Sequence, residues 1–301
     1  MGKLYVVATP IGNLGDISQR ALDVLRSVTL IAAEDTRHSR RLLEHFGIRT
    51  RLISYHQHNQ RRRRADLLAA LAQGDVALIT DAGTPAISDP GTDLVAAALE
   101  QGFPVSPIPG ASALTAAVSA SGLIDGPFLM LGFLPRTSSD RSSLLGRAGA
   151  SGFPLVIFES AQRMNDTLQD LQRVLGERRV VLMRELTKLH EEIVAGSLAS
   201  FLADTTQSKP IGEYVIVVAG GTSAQASGQD IREVLVMLRN SGLSPSQAAR
   251  EAASMTGESR SELYRIAISL EGESSVGLES ELTLPDQDAL QEALSDKERP
   301  E

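Results

Sequence analysis

Two stretches of this sequence gather groups that could move protons or hold phosphate. Glu34, Asp35, Arg37 and His38 stand together in AAEDTRHSRRLL, where a carboxylate could act as general base toward a hydroxyl and an arginine could grip a phosphate. The same residues equally suit an ion-pair network at a helix start, with Asp35 or Thr36 as cap. Further on, SYHQHNQRRRRAD carries Arg61, Arg62, Arg63 and Arg64 in a row beside His56 and His58. Four consecutive helical residues cannot all face one way, so part of this run is merely solvated, while the rest offers a patch for a polyanion. The two histidines have the i, i+2 spacing of a strand or loop metal pair, but no third ligand accompanies them, and no metal is expected.

Three other stretches matter for what they lack. TPIGNLGDIS (9–18), TDAGTPAISDPG (80–91) and IPGASA (108–113) are built from Gly, Pro, Ser, Thr and Asp, and each follows an apolar run. The first has neither the spacing of the dinucleotide fingerprint nor, like the others, the lysine of a phosphate-binding P-loop. Small residues at the carboxyl ends of neighbouring strands predict one shared pocket lined by backbone groups. Asp16 is expected to cap a helix over 17–27. Asp89 followed by Pro90 predicts the start of a helix over 91–101.

The elements that position these residues follow from periodicity. Continuous apolar runs at 4–9, 28–33, 51–55, 76–80 and 104–108 alternate with amphipathic stretches, the pattern of a mostly parallel α/β sheet buried on both faces. A second set at 128–133, 155–160, 179–186 and 214–220 makes a second α/β lobe, joined to the first by a helical stretch over 111–123. The expected division is 1–113, 114–221, a linker at 222–229, a helix-turn-helix-like module at 230–270 and an acidic, disordered tail at 271–301. Within the module, helices are expected at 230–240, 244–254 and 259–270, with Ser244 and Pro245 opening the second.

Composition narrows the classes. The chain has no cysteine, which excludes disulfides and thiolate chemistry, and no apolar run long enough to span a bilayer, so a cytoplasmic protein with no membrane association is expected. The net charge of −8 argues against a nucleic-acid partner only until its distribution is read. Residues 271–301 hold ten acidic residues and two basic ones, whereas residues 1–70 hold twelve Lys or Arg and six Asp or Glu. The N-terminal part is locally basic.

Taken in order, TPIGNLGDIS, AAEDTRHSRRLL, LISYHQHN, TDAGTPAISDPG, PGASAL, GFLPR, RELTKLHEE and GEYVIVV resemble the 16S ribosomal RNA cytidine 2′-O-methyltransferases of bacteria, within the tetrapyrrole methylase superfamily. The resemblance runs from about residue 3 to 220 and more weakly through the helical module. It implies two α/β lobes with a cofactor cleft between them, S-adenosyl-L-methionine as cofactor, ribosomal RNA or the small ribosomal subunit as partner, and a homodimer. Its cofactor contacts carry over to Pro10 and Ile11, to Asp81, Gly83, Thr84 and Ile87, to Ser112 and Ala113, and to Phe158, Met183 and Tyr214. Asp35 or Glu34 is then expected to take the proton of a ribose hydroxyl, with Arg37 and Arg61 to Arg64 on substrate phosphates. The sequence departs from the family at ESAQR (159–163), where Gln162 replaces a histidine, and at the inserted Ile211.

Overall fold

The computed structural model describes residues 1–203, 212–221, 228–240, 242–256 and 259–276. Ile211, most of the expected linker and the acidic tail beyond 276 lie outside the described residues. The chain divides into two compact units, Met1–Gly221 and Thr222–Glu301. Among the described residues no helix is long and apolar enough to cross a membrane.

The first unit opens with a parallel sheet of strands β1 (Leu4–Val7), β2 (Leu30–Ala33), β3 (Leu52–Ser54), β4 (Val76–Ile79) and β5 (Val105–Ile108), in the order β3-β2-β4-β1-β5. Every residue of β2 and β4 is buried, because helices cover both faces. The two-residue period of a strand sorts the side chains. Ile31, Ala33, Ala77 and Ile79 enter one core with Leu22 and Leu25 of α1 (Gln19–Ser27) and Leu43 of α2 (Thr36–His45). Leu30, Ala32, Val76 and Leu78 enter the opposite core with Leu67 and Leu71 of α3 (Gln60–Gln73) and Leu94 of α4 (Thr92–Glu100). This two-sided burial leaves the carboxyl ends of the strands as the place where loops can face a ligand.

Helix α5 (Ala113–Ser121) leads to a second sheet of β6 (Leu129–Phe133), β7 (Leu155–Ser160), β8 (Arg179–Arg184), β9 (Glu192–Ser197) and β10 (Glu213–Val218), ordered β6-β7-β10-β8-β9. Only β6 and β7 run parallel here, and β10 is antiparallel to both β7 and β8. The apolar runs that mark this lobe in the sequence are real strands, but β8 turns back through the loop 185–191 into β9, so their directions differ from a parallel lobe. Helices α6 (Ser138–Gly149) and α7 (Met164–Leu175) cover one face. Ala117 of α5 packs on the other with Val156, Val181, Met183 and Val215. A short α8 (Leu198–Ala203) follows β9.

The second unit contains α9 (Gly228–Asn240), α10 (Pro245–Thr256) and α11 (Arg260–Val276) around Leu235, Leu238, Ala249, Ala252 and Leu263. The Ser244 hydroxyl accepts from the Gln247 amide N–H at 3.3 Å while the Gln247 side-chain oxygen accepts from the Ser244 N–H at 3.0 Å, a reciprocal cap that starts α10 where Pro245 predicts it. Two expected caps move. Helix α1 is capped by Ser18, whose hydroxyl accepts from Ala21 N–H at 3.1 Å, because Asp16 is held in a 3-10 turn over Leu14–Asp16. Helix α4 begins at Thr92, behind Gly91, so Asp89 and Pro90 precede it in the loop.

Candidate functional site

The three small-residue loops are tied to one another. Thr9 and Gly83 exchange backbone hydrogen bonds at 2.9 and 3.0 Å, joining the loop after β1 to the loop after β4. The buried Thr9 hydroxyl adds a bond to the Thr80 carbonyl at 3.1 Å. From the other side of Gly83, the Thr84 hydroxyl donates to the Ala111 carbonyl at 3.4 Å, reaching the loop after β5. The bends therefore converge, as small residues at adjacent strand ends predict. Between them and the second sheet lies an open cleft whose empty volume is about 860 Å³ including the solvent at its mouth.

Nine of the eleven residues expected to contact a cofactor line this cleft: Ile11, Gly83, Thr84, Ile87, Ser112 and Ala113 from the loops, and Phe158, Met183 and Tyr214 from the second sheet. Pro10 and Asp81 do not. Pro10 is buried behind Ile11, and the Asp81 carboxylate accepts from the Asp35 backbone N–H at 3.0 Å, tying the end of β4 to the end of β2. Ser112 opens α5 at the cleft wall without a side-chain cap on the first N–H groups of that helix. Backbone strain is concentrated here as well. Among the described residues, the four non-glycine residues with positive φ, Ala86, Ser88, Glu185 and Thr187, all lie in two loops that contribute to the cleft.

The family model of the Tetrapyrrole (Corrin/Porphyrin) Methylases matches residues 3–202, which hold the first sheet with its three loops and strands β6 to β9 of the second. The chain belongs to the tetrapyrrole methylase family. A second model, of the RsmI C-terminal HTH domain, matches residues 225–271 of this methylase. The chain is 46% identical over 278 residues to the Ribosomal RNA small subunit methyltransferase I of Synechocystis sp., covering 91% of this chain and all of that one. The protein of the same name from Escherichia coli O157:H7 is 44% identical, with 90% and 96% covered. Solved structures similar in fold include diphthine synthase, with a TM-score of 0.58 at 16% identity over 72% of this chain and 90% of that one. The methyltransferase CobJ gives 0.55 at 18% identity, with 74% and 95% covered.

The residues proposed for acid-base work in this methylase separate by environment. Asp35 caps α2, accepting from Arg37 N–H at 2.8 Å, and pairs with the Arg37 guanidinium at 2.8 Å; those bonds hold its carboxyl well below the usual carboxylate range. Neither residue lines the cleft, and nor does Glu34. Glu34 is half-buried, and burial followed by the Asp81 charge pushes its carboxyl up. Asp89, read from sequence as part of a helix start, instead lines the cleft. Burial first, then the Glu34 and Asp81 charges, push it up to about 7 against the opposing hydrogen bond of Thr80.

On the far wall the sequence reading named Phe158, Met183 and Tyr214 but missed the charged groups beside them. Lys188 bridges Glu185 at 2.9 Å and Glu213 at 3.0 Å at the edge of the cleft. Burial opposes ionisation of Glu185, yet the hydrogen bonds from Lys188 and the Glu213 backbone outweigh it and keep the carboxyl low. Glu159 is fully committed inside the protein. It accepts from Ser160 N–H and the Thr167 hydroxyl, each at 2.8 Å, and faces Arg163 at 3.5 Å. Of the arginine run, Arg63 pairs with Asp66 at 3.2 Å, while Arg61, Arg62 and Arg64 are exposed and make no ion pair among the described residues. His56 is hydrogen-bonded to Asn59, at 3.1 Å between side-chain nitrogens. Among the described residues no group of three or more His, Asp or Glu could hold a metal.

Proposed function

We propose that this chain methylates the ribose 2′-hydroxyl of a cytidine in small-subunit (16S) ribosomal RNA, drawing the methyl group from S-adenosyl-L-methionine. The observation that carries the reading is the single cleft formed by three hydrogen-bonded loops against the second sheet. The names of its relatives point to the ribosomal substrate. The residues present fit the donor. Ile87, Phe158 and Met183 offer apolar surface, the Gly83 and Ser112 loops offer backbone groups, and Asp89 offers a carboxylate for a ligand that is cationic at sulfur and nitrogen. When bound, S-adenosyl-L-methionine supplies a methyl group activated by its sulfonium.

The chain's own residues then orient and deprotonate. Holding a hydroxyl in line with a methyl group is a positioning task, and rigid loops on strand ends suit it. A base near the ribose adds roughly 10² to 10⁴ in rate. Glu34 suits that role better than Asp35, because its surroundings raise its affinity for a proton while Arg37 lowers that of Asp35. Arg37 and the exposed Arg61, Arg62 and Arg64 hold phosphates. The reading includes the sequence-based division at 113 and 221, a cytoplasmic enzyme and a homodimer. The exposed Leu189, Ile193 and Val194 around edge strand β9 support a partner there. Mapping 2′-O-methyl groups in 16S RNA from cells with and without the gene tests the function: one cytidine loses its mark in the deletion. No difference, or activity only on a corrinoid precursor, overturns it.

A further inference from the structure

Phe133 is the most exposed phenylalanine or tyrosine among the described residues, 59% accessible, and it lines the cleft. This chain has no tryptophan and seven phenylalanines in 301 residues. Leaving one in water at the edge of a binding site opposes the hydrophobic effect, so its placement calls for a physical cause.

The cause is built into β6. Its pairing with β7 slips between Met130 and Gly132, and Gly132 takes φ +62°. A side chain at 132 would bring its Cβ to 2.8 Å from the Ser88 hydroxyl oxygen in the loop after β4, so glycine is the residue that permits this bend. A bulge of this kind re-aims the next side chain. The turn is then fastened from behind. The Arg163 guanidinium donates to the Leu134 and Pro135 carbonyls at 2.8 and 3.0 Å and faces buried Glu159. The ring meets Phe158 edge-on, with centroids 5.7 Å apart and planes at 64°, a contact that steadies an aromatic edge without covering its faces. Phe158 is partly buried against the core below, whereas Phe133 stands outside it.

We propose that Phe133 is the platform on which the base of the target nucleotide stacks while its ribose enters the cleft. The proposal rests on the RNA reading above and specifies the state in which RNA is taken, with the target base out of its own stack. Proteins hold single-stranded bases on aromatic faces, and such stacks are sequence-tolerant because every base has a π-face. Arg136, exposed three residues further along the chain, is a cation available to an adjoining phosphate.

The test compares Phe133→Leu and Phe133→Trp with wild type, using purified small ribosomal subunits from the deletion strain as substrate and calorimetry for the donor. F133L is expected to raise KM for subunits roughly ten- to hundredfold, the loss of one base stack. Its kcat and donor affinity stay close to wild type. F133W, which keeps a π-face, retains a near wild-type KM. The platform is overturned if F133L leaves KM unchanged, if F133W loses as much as F133L, or if donor affinity falls in step with RNA affinity, which would assign the ring to the donor. A wild-type enzyme that binds donor and leaves subunits unmethylated would instead sink the RNA reading, and is distinguishable because no variant is needed to see it.

Discussion

Asp89 sits where ionisation is opposed by burial and by two neighbouring carboxylates, and that placement makes sense for a cleft that receives a cation. An ionised carboxylate attracts a sulfonium ligand, and a protonated one does not. With its carboxyl raised to about 7 in the free protein, Asp89 is mostly protonated at pH 6 and mostly ionised at pH 8. Donor affinity is therefore expected to strengthen by up to about tenfold between pH 6 and pH 8, with proton release on binding, both readable by calorimetry in buffers of different ionisation enthalpy. Asp89→Asn flattens that dependence. The linkage has an opposite face in stability. A carboxyl raised on folding destabilises the protein as pH climbs from the unfolded value toward 7, so D89N melts higher than wild type at pH 8, and the gap narrows toward pH 4. A D89N protein with wild-type pH dependence refutes this account. The neighbouring pair predicts a different split. Glu34→Gln lowers kcat by roughly 10² to 10⁴ with donor affinity retained. Asp35→Asn keeps the α2 cap, since an amide oxygen still accepts from the Arg37 N–H, loses only the exposed Arg37 ion pair, and so changes the melting temperature little and moves kcat less. Equal kcat losses would return Asp35 to the mechanism. None of this sorting was visible in the sequence, because an Asp-Pro pair before a helix carries the same letters whether or not the carboxylate caps it. Gly91, at φ +142°, shifts the helix start and turns Asp89 out of the role its neighbours suggest.

At the scale of elements, legibility followed burial. The inner strands β2 and β4 are short apolar runs because both faces are covered, and the outer strands of that sheet, though less buried, were marked in the sequence by similar runs. Strand β9 carried no such mark. Its EIVAGS is exposed over four of six positions at the edge of the sheet, so burial imposed no pattern on it. The direction of β10 was equally hidden, since an apolar run is the same read parallel or antiparallel. The loop after β4 holds the elements and the cleft together, which makes it the place to perturb. At Gly91 a Cβ would stand 2.8 Å from Leu78 Cδ2, in a backbone region that L residues avoid. Gly91→Ala is expected to destabilise the protein by about 1–3 kcal/mol in urea unfolding. Since the same loop carries Gly83, Thr84 and Asp89, donor affinity should weaken as well. An alanine variant with wild-type stability and affinity would mean that the loop adapts and that the glycine is not what sets the site.

At the scale of the molecule, the overall charge of −8 conceals how the chain could meet a polyanion. The acidic excess lies beyond residue 270, while α3 presents Arg61, Arg62 and Arg64 to solvent and keeps Arg63 for Asp66. The sequence announced the patch but not its division, because consecutive helical residues point about 100° apart and only the fold says which direction is water. If those three arginines each neutralise a phosphate, binding to the small subunit releases counterions in proportion. Replacing all three with alanine should lower the slope of log affinity against log salt by about 2 to 3 and weaken binding most at low salt. Donor affinity stays unchanged, since none of the three lines the cleft. The comparison separates a steering surface from a general loss of fold, which would weaken both ligands together and leave the salt slope as it was. A triple variant with the wild-type slope would move the RNA-binding surface away from α3, leaving Arg37 and the second unit as the places to look.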